Sequence, residues 1–575
     1  MLIASHGRSP YCVYVAQGAP DSAVYAAEEL CRYLRRVTGA LMPLLREKPP
    51  VDTWFAVGCD AVREAGVDVD AENLGDEGFV IRTVGARIAI SGSRGTLRGD
   101  VYGVFALLEE HVGLRFFTET IERVPVKPTL ELPELNVRQV PALEYRDAFY
   151  PGLTLGGDWS AKNRVNGQFV NVRPHQGGRV MYYPFVHSFN LILDPEEWFD
   201  THPEYFSEVD GRRIRERTQL CLTNPEVLRI AKEKVRSWLR EHPEVTIVSI
   251  SQNDCYNPCE CANCRAVDEY EGSHAGTLLR FVNAIAEELE GEFPHVVFDT
   301  LAYQFTRKPP LHVRPRANVC VRLCSIECCF AHPLSECQLP MSFGGKERPG
   351  SFQSDLEGWA KICDRLYVWD YVVNYSHYAM PFFNFGVLAP NIRYFIDNHV
   401  KGVFEEGSTS NYGGTEFAEM RAWIIAKLLW NPDQDAHALA GEFIDGVYGQ
   451  AAPFVRQYYD LLRAALESSP DTHFGLYALP EKPYITPEVC RRAEELFDRA
   501  ELAAEDEVIR ERVRVARLPV RFFALYTQDP ATPGRDEAIE AFRRELESRC
   551  LLDIMEGRTL DYAIDEMKRG PQKRA

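Results

Sequence analysis

The stretch Val245-Thr246-Ile247-Val248-Ser249-Ile250-Ser251-Gln252-Asn253-Asp254-Cys255 decides the fold prediction. Its run of β-branched residues predicts a buried parallel strand, and this strand ends abruptly in polar side chains. The amide of Asn253 and the carboxylate of Asp254 follow directly. In barrel enzymes, catalytic groups stand at the carboxyl ends of the strands. The stretch therefore predicts a barrel enzyme with these two side chains at its mouth.

Seven more segments have the character of short strands. With the first one, they cover residues 143–146, 169–172, 185–188, 245–251, 296–300, 319–323, 366–370 and 401–406. Helical patterns lie between several of them, for example at residues 225–241 and 277–290. Eight strands that alternate with helices predict an α/β fold, a (β/α)8 TIM barrel over residues 136–432.

The regions on either side of the barrel differ from it in pattern. Residues 1–135 alternate helix and strand, which predicts a small α+β platform domain. Residues 433–575 contain long amphipathic runs at 436–448, 452–468, 487–504, 507–528 and 535–555. These runs predict a C-terminal α-helical domain packed on the barrel.

Charge and segment composition limit the partners. The chain of 575 residues carries a net charge of −20, which disfavours nucleic acid and anionic membranes and suits a neutral substrate. The N-terminus shows no basic region followed by an apolar core, and no apolar run reaches the length of a membrane span. We therefore expect a cytoplasmic protein without membrane contact. Its acidic, helix-rich tail also suits a homo-oligomer.

Cysteines cluster in one part of the chain. Nine of the sixteen fall between Cys255 and Cys337. Cys255, Cys259, Cys261 and Cys264 have near zinc-site spacing, so one interpretation is a structural zinc that fixes the loop beside Asp254. The alternatives are reduced thiols or disulfides, and disulfides lose weight without a secretion signal. A four-cysteine site leaves no open coordination position, so we expect no cofactor for catalysis.

The predicted site is the set of polar and aromatic side chains at the strand ends. It comprises Arg146, His187, Asn253, Asp254, Tyr303, Glu327, Trp369, Asp370, Tyr371, Glu405 and Glu406. Glycoside hydrolysis needs an acid for the departing oxygen, a second group that stabilises the oxocarbenium-like centre, and flat rings that stack on sugars. The alternative for any one carboxylate is that it only holds a loop through hydrogen bonds.

Several stretches carry a resemblance to known families. Residues 77–82 (EGFVIR), 102–109 (YGVFALLE) and 113–117 (GLRFF) resemble the platform domain that precedes family 20 hexosaminidase and α-glucuronidase barrels. The barrel resembles the domain of unknown function 4838 proteins, in glycoside hydrolase family 163. The matching stretches are 249–264 (SISQNDCYNPCECANC), 322–328 (RLCSIEC), 367–378 (YVWDYVVNYSHY), 402–407 (GVFEEG), 413–421 (GGTEFAEMR) and 428–432 (LLWNP).

The resemblance implies a retaining endo-β-N-acetylglucosaminidase that acts on N-glycans, with the substrate acetamide as nucleophile. By analogy with the Asp-Glu pair of family 20, Asn253 is expected to orient the acetamide and Asp254 to be the acid. Because Asp is shorter than Glu, Glu327 remains an alternative acid. Burial among aromatic side chains is expected to raise the pKa of the acid.

The remaining residues of the predicted site are assigned to substrate binding. Arg146, and Glu405 or Glu406, are expected to hold sugar hydroxyls, and Trp369 and Tyr371 to stack on the −1 sugar or to hydrogen-bond it. His187, Tyr303 and Asp370 are expected to contact the same oligosaccharide or glycan.

Two other functions stay open. One is an exo-acting β-hexosaminidase or an α-glucuronidase-like hydrolase. A uronic acid substrate favours basic residues at the mouth, and Arg146, Arg173 and Arg322 are the few candidates. The other is a carbohydrate-binding protein that has lost catalysis, which the strand-end carboxylates disfavour.

Overall fold

A computed structural model describes residues 1–339, 351–408, 415–478 and 484–570. Residues 413–414 of the resembling stretch and residues 479–483 and 571–575 of the predicted third region lie outside them. Among the described residues, no helix combines the length and the apolar character needed to cross a membrane.

The N-terminal region is built on a six-stranded mixed sheet. Its strands are β1 (Cys12–Val15), β2 (Leu44–Leu45), β3 (Trp54–Val57), β4 (Phe79–Val84), β5 (Arg87–Gly92) and β6 (Asn136–Gln139), in the spatial order β6-β4-β5-β3-β1-β2. Its helices are α1 (Asp21–Thr38), α2 (Cys59–Glu64) and α3 (Gly99–Ala106). Helices α1 and α3 pack on one face and α2 on the other. Strand β6 belongs to this sheet, so the sheet extends past residue 135.

The barrel contains a second six-stranded sheet, which is parallel throughout. Its strands are β7 (Tyr145–Phe149), β8 (Ile247–Ser249), β9 (Val297–Ala302), β10 (Val319–Cys324), β11 (Leu366–Tyr371) and β12 (Val400–Glu406), in the order β7-β12-β11-β10-β9-β8. The longer helices around it are α4 (Pro225–Glu241), α5 (Ala262–Glu271), α6 (His274–Leu289), α7 (Phe352–Ala360), α8 (Phe385–Asp397) and α9 (Ala418–Trp430). The first strand pairs with the last, as ring closure requires.

Two predicted strands are wrong. Neither residues 169–172 nor residues 185–188 form a strand, and Tyr182 makes only a single bridge to Ile247. Two irregular segments close the gap between β7 and β8 instead. Asn166 and Gly167 donate backbone N–H groups to Arg146 O at 3.0 and 3.1 Å, and Ile247 N donates to Met181 O at 3.0 Å.

Side chains replace the missing ladder hydrogen bonds. The buried carboxylate of Asp147 accepts from Phe169 N at 3.1 Å and from the Tyr145 hydroxyl at 2.8 Å. The Gln168 side-chain oxygen accepts from Tyr182 N at 2.7 Å. A Cβ at Gly167 would collide with Asp147, so this close approach requires glycine. Hydrophobic periodicity in the sequence could not indicate that side-chain hydrogen bonds, and not a backbone ladder, hold these two segments.

The third region is helical. Its helices are α10 (Ala436–Val447), α11 (Ala452–Glu467), α12 (Pro487–Ala503), α13 (Glu507–Thr527), α14 (Arg535–Ser548) and α15 (Leu560–Arg569). The run predicted as one helix over 535–555 ends at Ser548, because Cys550 adopts a left-handed conformation with φ 55°. The chain after it forms a loop that returns to the barrel.

The buried carboxylate of Glu77 joins the first region to the barrel. Arg146 Nη1 lies 2.6 Å from Glu77 Oε2, and Arg98 pairs with the other oxygen. Asn166 Nδ2 donates to Glu77 Oε1 at 2.9 Å. Burial alone would raise the pKa of Glu77, but the two guanidinium groups outweigh it and lower the pKa to about 2. Arg146 is thus wholly buried in this junction, and its predicted role as a sugar anchor is wrong.

We predict that Arg146→Ala lowers the free energy of unfolding by about 3–5 kcal/mol, since it removes one of two cations from a buried carboxylate. Urea unfolding followed by circular dichroism measures the loss. Arg240→Ala is the control, because Arg240 pairs with Glu292 at the surface and such pairs contribute about 0–1 kcal/mol. Equal losses in the two variants would contradict a special role for the Glu77 junction.

Candidate active site

Strand register brings Trp369, Tyr371 and Glu406 to one end of the barrel. Tyr371 lies opposite Glu406 in the ladder between β11 and β12, and Trp369 lies two residues earlier. Side chains alternate along a strand, so these three share the interior side. Trp369 Nε1 donates to Glu406 Oε2 at 2.6 Å, and the Trp369 and Tyr371 rings stack at 6.3 Å between centroids. The arrangement places a carboxylate beside an aromatic wall.

Glu406 has a pKa suited to proton transfer. Burial raises the pKa of Glu406 to about 7, and the nearby negative charges of Asp254 and Glu556 act in the same direction. The hydrogen bond from Trp369 favours the charged form but does not outweigh these effects. At neutral pH the carboxyl group is therefore present in both protonation states, as a general acid requires.

Asp254 lies at the same mouth, held by Tyr303. The Tyr303 hydroxyl donates to Asp254 Oδ1 at 3.1 Å, and Gln304 Nε2 lies 3.5 Å from the same oxygen. Asp254 is exposed. The aromatic burial expected around this carboxylate is therefore not present.

His187 stands beside this pair. Its Nδ1 lies 2.7 Å from the Gln252 carbonyl oxygen, and its ring lies 6.2 Å from that of Tyr303. Burial lowers the pKa of His187, which favours a neutral ring. Nδ1 then carries the proton, and Nε2 is left as an acceptor.

The C-terminal region adds Glu556 and Tyr477, which are not among the site residues predicted from the sequence. Glu556 N donates to Tyr375 O at 3.1 Å, and Tyr375 N donates to Leu476 O at 3.0 Å. The Tyr375 and Tyr477 rings lie 5.9 Å apart. Burial and repulsion from Asp254 raise the pKa of Glu556 to about 7. Because the sequence predicted a helix through residue 555, a loop at Glu556 was not expected. Gly557 indicates only that the helix ends before it.

Asp370 and Glu405 point away from the mouth. They face each other across β11 and β12, one residue out of phase with Trp369 and Glu406. Both side chains are buried, and Ser325 donates to Asp370. Burial raises the pKa of Asp370 to about 6 and, together with the neighbouring Asp370, raises that of Glu405 well above its usual range. This orientation does not favour the predicted substrate contact of Asp370, and of the two alternatives Glu405 and Glu406 it favours Glu406.

Asn253 is engaged within the protein. Its Nδ2 donates to Asn190 Oδ1 at 2.7 Å and to Thr218 O at 2.8 Å, while its Oδ1 accepts from Asn190 N at 3.1 Å. Both amide hydrogens are thus used, which favours a loop-holding role over the predicted contact with an acetamide.

Glu327 forms a buried ion pair. Its Oε2 lies 2.7 Å from Arg307 Nη1, and Arg307 Nε lies 2.7 Å from Asp355 Oδ2. This ion pair holds the Glu327 carboxylate within the protein, so the geometry does not favour Glu327 as the alternative acid.

The cysteine cluster differs from the prediction in one member. Cys221, Cys259, Cys261 and Cys264 bring their sulfur atoms within 4.8 Å of one another. Cys221 Sγ lies 3.7 Å from Cys261 Sγ and 3.9 Å from Cys264 Sγ. Four thiolates about 2.3 Å from a tetrahedral zinc ion lie about 3.8 Å apart, so these four residues fit the metal. Cys255 instead points its sulfur at Arg217 O, 3.0 Å away, so its inclusion in the set is wrong.

The fold matches solved structures at low identity. One is a family GH115 4-O-methyl-α-glucuronidase, BtGH115A, with specificity for decorated arabinogalactans: 12% identity, TM-score 0.61, 100% of this chain and 81% of that chain. Another is CpGH89 from Clostridium perfringens, in complex with GlcNAc-α-1,4-galactose: 11% identity, TM-score 0.50, 91% of this chain and 65% of that chain. These likenesses are ones of fold, and they confirm the predicted α/β class.

No curated protein matches this sequence. The profile of DUF4838, a domain of unknown function, matches residues 116–460, which is more than half of the chain and includes the barrel. The resemblance to the domain of unknown function 4838 proteins is thereby confirmed, while those to glycoside hydrolase families 163 and 20 stay predictions. The chain belongs to the DUF4838 family.

Proposed function

We propose that this protein is a glycoside hydrolase that cleaves β-N-acetylglucosaminide linkages in a glycan. The observation that carries the proposal is Glu406, whose pKa is raised to about 7 beside Trp369 and within electrostatic reach of Asp254. An acid, a second carboxylate and an aromatic wall at one barrel mouth are the parts that glycosidic cleavage needs. Both fold neighbours described above are enzymes that act on sugars, which supports the same class.

In this proposal Glu406 is the general acid, in place of the predicted Asp254. Protonated Glu406 gives its proton to the glycosidic oxygen as the C1–O bond breaks. The acetamide oxygen of the −1 sugar bonds to C1 and forms an oxazolinium ion. Asp254, held by Tyr303, accepts a hydrogen bond from the acetamide N–H and stabilises its developing positive charge.

Hydrolysis of the oxazolinium ion completes the reaction cycle. Glu406, now a carboxylate, takes a proton from water while the water oxygen bonds to C1 and the acetamide is restored. The product keeps the anomeric configuration of the substrate because two successive displacements each invert the configuration at C1. Glu556 and Tyr477 lie at the same mouth, where they would contact sugar hydroxyls.

The arginine contacts disfavour a uronic acid substrate. Arg146 is buried in the Glu77 junction, and Arg322 Nη2 lies 2.7 Å from Asp299 Oδ1 inside the barrel. Arg173 lies 3.8 Å from Asp158. None of these three presents an unpaired guanidinium to a sugar carboxylate, so the α-glucuronidase alternative has less support.

The lost-catalysis alternative also has less support. A binding protein gains nothing from a carboxyl group whose pKa is matched to neutral pH, whereas an acid catalyst requires one.

We further propose a structural zinc ion at Cys221, Cys259, Cys261 and Cys264. Helix α5 begins at Ala262, directly after Cys261, so the ion would hold the start of this helix to the loop that contains Cys221. Thr223 Oγ1 lies 3.2 Å from Cys264 Sγ, and Glu208 N donates to Cys259 Sγ at 3.4 Å, contacts that orient thiolate ligands. The ion would fix the loop that follows Asp254 and supply no chemistry to the reaction.

We predict that Glu406→Gln lowers kcat/KM on 4-methylumbelliferyl β-N-acetylglucosaminide or a biantennary N-glycan by about 10²–10⁴-fold. A general acid works in its protonated form, which is present below its pKa and lost as pH rises. The wild-type profile should therefore fall on the alkaline side through about pH 7, and the variant should lose this limb. Glycan cleavage without hydrolysis of the small substrate indicates endo action.

The matched control is Glu405→Gln. This neighbour faces the opposite side of the strand, and burial raises the pKa of its carboxyl group, so an uncharged amide of the same shape is a mild change there. The control should keep its activity and its alkaline limb. A loss of activity in Glu405→Gln equal to that in Glu406→Gln would overturn the assignment of the acid.

We predict that Asp254→Asn lowers kcat more than it raises KM, because the contact with the acetamide strengthens as charge develops. Tyr303→Phe should show a smaller loss of the same kind, and the double variant should lose less than the sum of the two in free energy. Steady-state kinetics on the 4-methylumbelliferyl substrate measure these effects. Additive losses would contradict action as a pair.

We predict that Cys221→Ser lowers the zinc content of the purified protein by one equivalent per chain, while Cys255→Ser leaves it unchanged. Inductively coupled plasma mass spectrometry measures both. The two cysteines are a matched pair, since both are buried and lie near the same loop. Zinc loss from Cys255→Ser alone would restore the ligand set predicted from spacing.

A further inference from the structure

A second group of metal-ligating side chains joins the barrel to the C-terminal region. Cys329, His332 and Cys337 follow strand β10, and His473 lies between α11 and α12. Their ligand atoms all lie within 4.8 Å of one another, although His473 is more than 130 residues away in sequence. The set is distinct from the four-cysteine cluster and from the catalytic mouth.

The distances match tetrahedral coordination. His473 Nδ1 lies 3.4 Å from Cys329 Sγ and 3.6 Å from Cys337 Sγ, and His332 Nδ1 lies 3.5 Å from Cys329 Sγ. With zinc–sulfur bonds of about 2.3 Å and zinc–nitrogen bonds of about 2.0–2.1 Å, a tetrahedral site places sulfur and nitrogen about 3.5 Å apart. All three distances lie within about 0.15 Å of this value.

The surroundings orient the ligands. His332 Nε2 lies 2.9 Å from Pro470 O, so it carries the proton and leaves the lone pair of Nδ1 directed at the cluster. Ala331 N donates to Cys329 Sγ at 3.4 Å, a contact that stabilises a thiolate. A hydrogen-bonded second nitrogen and an N–H group on the sulfur are typical of zinc ligands.

From this geometry we propose that Cys329, His332, Cys337 and His473 bind a structural Zn²⁺ ion. Two thiolates and two imidazoles are donors that zinc prefers, and four protein ligands leave no open position for catalysis. The ion would join the loop after β10 to the segment before α12. Phe330 N donates to Phe474 O at 2.9 Å, which aligns the same two segments.

An ion at this site would also affect the barrel mouth, through the segment that contains Tyr477. Leu476 O accepts from Tyr375 N at 3.0 Å, and Asn374 Nδ2 donates to Ala478 O at 2.7 Å. Tyr477 lies between these two contacts, so an ion bound by His473 would limit the movement of this tyrosine. The proposed metal is therefore a clamp that holds a C-terminal side chain at the barrel mouth.

The test is metal content, which does not depend on activity. The full-length wild type should contain about two equivalents of zinc, one for each proposed site. His473→Ala and Cys221→Ser should each contain one equivalent fewer, and the double variant should contain none. His295→Ala, which replaces an exposed histidine away from both clusters, should match the wild type. Unchanged zinc content in His473→Ala would overturn the proposal.

A second measurement tests the proposal if His473→Ala fails to fold. X-ray absorption at the zinc edge of Cys221→Ser observes the remaining ion without altering its ligands. Two sulfur and two nitrogen neighbours would support the clamp, whereas four sulfur neighbours would overturn it. A Cys329–Cys337 disulfide in non-reducing peptide mass spectrometry would also overturn it, because oxidised sulfurs do not bind zinc.

Discussion

The buried carboxylate of Glu77 is the contact on which the arrangement of the first two regions depends. It lies between Arg98 of the N-terminal region and Arg146 of the first barrel strand. The backbone oxygen of Arg146 also accepts the N–H groups of Asn166 and Gly167, which begin the irregular closure of the barrel. Arg146 thus connects the packing of the first two regions to the closure of the barrel. Removing Arg146 would leave the buried Glu77 carboxylate with only one of its two guanidinium partners, which is why this junction is costly to disturb.

Desolvation is the physical effect that distinguishes the carboxylates at the mouth. Glu406 and Glu556 come from different regions, yet burial raises the pKa of each to about 7, and Asp254 adds repulsion to both. The negative charge of Asp254 adds to burial in favouring the protonated forms of Glu406 and Glu556, and burial is the larger effect for both. The C-terminal loop that contains Glu556 therefore contributes directly to the electrostatics of the site.

The two cysteine-containing clusters have related structural roles. The four-cysteine cluster lies beside the loop that follows Asp254, and the Cys-His cluster lies beside the segment that contains Tyr477. Neither residues 250–261 nor the described residues 468–478 form a helix or a strand, so no regular backbone ladder holds these segments. A tetrahedral ion restricts such loops with few residues, which is the usual benefit of a structural metal site.

The sequence by itself determined the barrel class, six of its strands and most of the C-terminal helices, because these follow from local periodicity. It also placed Asp254, Tyr303, Trp369 and Glu406 at strand ends. Only the tertiary structure decided which carboxylates share a site. Glu405 and Glu406 are adjacent in sequence, but alternation sends one outward and the other into the mouth. Glu556, Cys221 and His473 join their clusters from distant segments, and no local pattern reports such convergence.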